Sequence, residues 1–178
     1  MNFCTRTPHR RDRCVQYPKM TERLKNNIEK LYRTFEKYRG NSTMNGSPNY
    51  DDLDKWNKEL FSKPLRELDK DDLFRFTGKA MTTWGSANDY KHFLPRIFEL
   101  TAELKTPYEI WIAFDKINLA EFQNWAEEEQ KVIHEFMIAL LESIINDNSQ
   151  QAEFEFKDYF SAIAHFYPNF SDLLDVWT

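Results

Sequence analysis

Glycine and cysteine are both scarce in this chain, and each shortage excludes something. Four glycines in 178 residues cannot build a nucleotide-cradling loop of the usual kind, and neither a P-loop nor a GxSxG elbow is present. With only seven prolines beside them, the composition suits helices on short connections better than a turn-rich β-sandwich. Two cysteines, Cys4 and Cys14, form no disulfide framework, and their separation matches no zinc pattern. No apolar run approaches the ~18 residues of a membrane span. Nor does an apolar stretch follow the basic start, as a secretory signal requires. A reduced, cytoplasmic protein without membrane contact is the expectation.

Metal signatures are missing as well. There is no HExxH, and a di-iron bundle needs Glu-x-x-His on two helices. The residues three before His92, His134 and His165 are Asp89, Lys131 and Ala162. Neither a metal nor a cofactor is expected.

Large apolar side chains, by contrast, are plentiful: Phe, Tyr and Trp number 28, enough for a single domain of this length to bury a real core. Charge is uneven. Residues 1–19 hold Arg6, Arg10, Arg11, Arg13 and Lys19 against Asp12, a net of +4; removing that from the total of −5 leaves −9 on residues 20–178. An acidic body repels phosphate backbones, which argues against nucleic acid. The basic arm, residues 1–19, has few apolar anchors and is expected to be disordered, with one all-helical domain over 20–178.

Helical spacing runs through that domain. Thr21 caps a stripe of Leu24, Ile28, Leu31 and Phe35 that stops at Gly40. A turn-rich loop over 40–50 leads to Asp51 and a shorter segment with Trp56 and Leu60. Asp69 is an N-cap, with Leu68 and Leu73 placed as a staple, and the stripe reads on through Phe76, Ala80, Met81 and Trp84 to Gly85. Pro95 suits a first helical position after a short turn over 89–93, since an interior proline costs about 3 kcal/mol. Further helices follow: one opened by Pro107, with Ile110, Trp111, Phe114 and Ile117; one from Glu127 to Ile145; one around Phe156–Ala164; and a short last one capped by Ser171. Hairpins beginning near residues 69, 107 and 152 give HEAT-like spacing without a residue-level repeat. The expected fold is all-α: helical hairpins in a HEAT-like right-handed array, or an irregular helical bundle.

Candidate sites are few. The acidic runs at 51–54, 69–72 and 127–129 each open a helix, so dipole compensation accounts for them. Trp56, Trp84, Trp111 and Trp177 fall on or beside helical stripes and read as core, with Trp125 in a connection. The stretch TTWGSANDYKHFLPRIFEL, 82–100, carries the densest chemistry. Lys91, His92 and Arg96 surround a helix start, where positive charge opposes the macrodipole. A carboxylate such as Asp89 or Glu99 offsets that, or a bound anion does; the ion pair is the preferred reading. Trp84, Tyr90, Lys91, His92 and Arg96 form the candidate ligand set.

PLREL at 64–68, AMTTWG at 80–85 and DYKHFLPRIFEL at 89–100 together resemble the hallmark of an uncharacterised bacterial protein family. Relatives in that family often have a short cysteine motif between the first helix and PLREL, where this chain reads MNGSPNYDD. The resemblance implies a bacterial source and a shared fold, and carries no activity. Two functions remain open. One is a non-enzymatic protein-interaction module, adaptor- or immunity-like, whose partner is another protein. The other is a small-molecule or anion-binding protein, possibly an enzyme, using the 84–96 junction.

Overall fold

Side-chain oxygens start most of the helices. A computed structural model describes residues 19–177; the expected arm lies outside the described residues except for Lys19. Thr21 accepts the Leu24 amide and opens α1 (Glu22–Phe35). α2 (Leu53–Leu60) begins behind Asp52, without a side-chain cap. A 3-10 turn over Leu65–Glu67 precedes α3 (Lys70–Lys79). Asp69 and Asp72 close a reciprocal capping box on α3, and Ser86 with Asp89 do the same for α4 (Ala87–Ala102). α5 (Ile110–Leu119) and α6 (Glu127–Ile145) flank a 3-10 turn over Phe122–Asn124. Ser149 caps α7 (Gln150–Phe166), and Asn169 caps α8 (Phe170–Leu174).

Among the described residues every regular element is helical, so the protein is all-α. α1 lies against α6 and α4, while α7 packs on α5 and α6. In an open array each repeat touches only its neighbours. Here the first helix seats on the sixth, and the chain closes into a bundle. One continuous core joins Leu24, Leu31, Phe98, Phe136, Leu140 and Ile163. Phe98 sits between Phe136, stacked at 4.9 Å, and Phe114, edge-on at 5.5 Å. No helix among the described residues is long and apolar enough to cross a membrane.

Several expectations are corrected: Ser171 lies inside α8, which Asn169 caps, and α5 begins at Ile110 behind Glu109 and not at Pro107. Pro95 does not open a helix: α4 runs straight through it from the cap at Ser86. The capping box nine residues upstream starts the helix locally, and burial of Phe93, Leu94, Ile97 and Phe98, at about 1.5–3 kcal/mol each, outweighs the ~3 kcal/mol of an interior proline. The helix before it also ends earlier than the stripe implies. α3 stops at Lys79, and 80–85 is an irregular turn in which Met81 takes a left-handed φ of 61° and Gly85 one of 72°.

Candidate functional site

That turn is bound to the loop before α2. Ser47 donates its amide to the Thr83 carbonyl at 2.8 Å, and Gly85 donates to Asn45 at 2.7 Å. The two backbone bonds lower the Trp84 indole into the core, where only 2% of its surface is exposed. Its Nε1–H donates to Asn57 Oδ1 at 2.9 Å, and Asn57 Nδ2 donates onward to the Met44 carbonyl. Asn57 therefore satisfies a buried indole and a buried carbonyl together, a role with no periodic signal in the sequence.

The other four candidate residues ride on α4 and leave it in different directions. Tyr90 is fully buried and donates to the Ala113 carbonyl at 2.6 Å; burial pushes its phenol pKa up. Lys91 donates to Glu129 Oε2 at 2.8 Å and to the Tyr38 hydroxyl at 3.0 Å, with its ammonium 4.0 Å from the Trp125 ring centre. His92 donates from Nδ1 to the Tyr38 carbonyl at 3.0 Å and stacks on Phe61. Arg96 donates from Nε to the Leu68 carbonyl and from Nη1 to Glu99 Oε2, both at 2.7 Å. Tyr32 shares that carboxylate at 2.6 Å, and Arg66 lies 3.7 Å over the Tyr32 ring while gripping Glu29 with both prongs at 2.8 Å.

Only Lys91 and His92 meet, through Tyr38. His92 lines a small groove of about 360 Å³ together with Phe61 and Pro95, but Trp84, Tyr90, Lys91 and Arg96 do not. The five side chains share no cavity, and Arg96 has its acidic partner. Glu129, counted above as one of three dipole-compensating acids, is buried and takes Lys91, Lys37 and Tyr38. Burial alone would raise its carboxyl pKa; the hydrogen bonds from Lys37, Lys91 and Tyr38 outweigh it and hold the group below the usual value.

A larger concavity lies elsewhere. A trough of about 1280 Å³ runs between α5 and α7, closed at one side by the start of α3 and by the connection over 104–109. Trp111 is not core, as its place beside Ile110 suggested. It stands 54% exposed on the trough wall, with its indole N–H on Glu109. Phe74, 53% exposed, lines the trough from α3 beside Tyr108, ring centres 4.9 Å apart. Gly78 makes room for that pair: a Cβ there would meet the Tyr108 ring at 3.2 Å. Hydrogen bonds from Gln151 to the Leu104 carbonyl and between Thr106 and Tyr159, each at 2.8 Å, clamp the connection onto α7.

The trough is acidic. Asp71, Glu109, Asp115, Glu155 and Asp158 line it against Lys70 and Lys105. Glu155 is half-buried, and burial together with the neighbouring Asp158 charge raises its carboxyl pKa. Among the described residues no group of His, Cys, Asp and Glu is gathered so as to hold a metal ion.

Sequence periodicity did contain a trace of this face. Phe74 and Trp111 each follow the inward residue of their helix, Leu73 and Ile110, and fall about 100° off the buried stripe. Two such aromatics lining one cavity make a second apolar face.

Fold and trough together define an all-α bundle with one long, aromatic-walled, acidic groove. Comparisons with protein-family models, with curated proteins and with solved structures return no match.

Proposed function

We propose that the protein is a non-enzymatic interaction module whose binding face is the α5–α7 trough, filled by an amphipathic segment of another protein. The observation that carries this reading is the pair of exposed aromatics, Phe74 and Trp111, lining one cavity. Two half-exposed aromatic rings lining a shared trough make an apolar patch of the kind that partners cover. At about 1280 Å³ the trough exceeds the ~300–1,000 Å³ of small-molecule sites. Its five carboxylates disfavour nucleic acid. Adaptor- and immunity-like roles, a cytoplasmic location and the bacterial source implied by the PLREL, TWG and KHFLPR segments belong to the same proposal.

Site-specific photo-crosslinking inside the producing cells tests it. A benzophenone amino acid at position 111 should form covalent adducts with a protein, and Phe74→Ala should abolish them without changing Tm. The same probe at Lys58, exposed and outside the trough, should form none. Absence of adducts from position 111, or equal adducts from position 58, overturns the reading.

A further inference from the structure

This inference rests on the trough being a protein-binding face and specifies what it binds. The trough follows α7 from Gln151 to Phe166, a run of about 22 Å at 1.5 Å per residue, which matches about four turns of a ligand helix. Its floor is apolar, formed by Ile110, Phe114 and Ala162. Its long walls are helices with satisfied backbones, so they offer no strand edge for an extended peptide to pair with. Charge supplies the remaining constraint. Asp115 projects from α5, and Glu155 and Asp158 from α7, into the same space. None of the three is in an ion pair among the described residues, whereas Glu29, Glu99, Glu129 and Glu142 all are.

We propose that the occupant is a basic amphipathic helix from another protein. Its apolar face, with anchors at i and i+4, seats on Phe74 and Trp111, and lysine or arginine side chains along its flank reach Asp115, Glu155 and Asp158. An acidic segment meets like charge there and is rejected, which gives the trough its selectivity.

The test uses the full chain and three model helical peptides of about 16 residues with one shared Leu/Phe face and flanks of Lys/Arg, Gln or Glu. Fluorescence anisotropy at low salt should show the basic peptide binding at least about tenfold tighter than the Gln peptide, with the advantage shrinking in high salt. Asp115→Asn combined with Glu155→Gln and Asp158→Asn should remove that advantage and leave the Gln peptide unaffected. Trp111→Ala should weaken both. Equal binding of the basic and Gln peptides overturns the charge assignment while the trough keeps its role as a protein-binding face. Binding of none of the three overturns both readings. A concentration-dependent dimer abolished by Trp111→Ala assigns the trough to a second copy. A synthetic peptide of residues 1–18 outcompeting the basic peptide assigns it to this chain's own basic segment. Either result overturns the partner named here.

Discussion

Lys91 and Glu129 are two charges with almost no exposed surface, 9% and 1% of their side chains, so their worth depends on what remains when one is removed. They are not symmetric. Glu129 also holds Lys37 at 2.6 Å and the Tyr38 hydroxyl at 2.7 Å. Lys91 has the same hydroxyl, the Glu129 carboxylate and the face of Trp125. Removing one partner from a buried pair costs about 3–5 kcal/mol because the other charge is left uncompensated. Glu129→Gln, which strands the ammonium, is expected to fall in that range. Lys91→Met is expected to cost clearly less, since Lys37 and Tyr38 remain on the carboxylate. Urea denaturation of both variants checks the order, and equal losses would mean that Lys37 contributes nothing to the cluster. The asymmetry was invisible in the sequence. Glu127, Glu128 and Glu129 look interchangeable at a helix start, and only the third is turned inward by the 100° step of the helix.

At the scale of whole helices, starts set by a local cap at Thr21 and Asp69 were legible, whereas those of α4, α5 and α8 were not. Caps at Thr21 and Asp69 follow from a short side-chain oxygen reaching an amide two or three residues on, a purely local rule. Ends here depart from the glycine rule. α4 closes with the Leu104 amide on the Thr101 carbonyl and the Lys105 amide on Leu100, a Schellman pattern with leucine at the left-handed position, φ 57°. α5 ends with the Glu121 amide on the Asn118 carbonyl and Glu121 itself left-handed, φ 56°. Leu104 compensates by being buried; Glu121 is exposed, its carboxylate touching only Asn124, at 3.2 Å, among the described residues. Glu121→Gly should therefore stabilise the protein by about 0.5–1 kcal/mol through relief of the left-handed strain. Leu104→Gly, which relieves the same strain but deletes a buried side chain, should destabilise. Thermal melts of the two variants separate them, and a lower Tm for Glu121→Gly would show that its backbone strain is already relaxed. Pro95 was misplaced for a related reason: a local penalty was weighed without the tertiary burial that exceeds it.

Across the whole molecule, the trough joins α3, the connection over 104–109, α5 and α7, segments that only tertiary packing brings together. Off-stripe aromatics hinted at it, but the facing of Asp115 by Glu155 and Asp158 has no local signal. The same long-range packing sets how the fold responds to acid. His92 and His134 both have pKa values below the ordinary 6.5, burial being the leading cause in each. Around His92 the Tyr38 carbonyl and Asp89 pull the other way without cancelling it; His134 packs against the rings of Phe122 and Tyr167. A histidine held neutral in the native state takes up its proton more readily when unfolded. Its contribution is therefore complete above pH 6.5 and is lost as pH falls through 6.5 towards the lower native value. Glu29 and Glu129, both held below the ordinary 4.5, add a second loss that begins only under that value. Glu155, shifted upwards, acts above that value: its protonation favours the native state as pH falls through its raised pKa towards 4.5, so it opposes the lower end of the histidine loss. Urea midpoints should accordingly decline between pH 7.5 and 5, before Glu29 and Glu129 titrate. A double variant, His92→Phe with His134→Phe, should flatten that first decline and leave the fall below pH 4.5 in place. If the double variant declines as steeply as the parent between pH 7.5 and 5, the acid sensitivity originates outside these two rings.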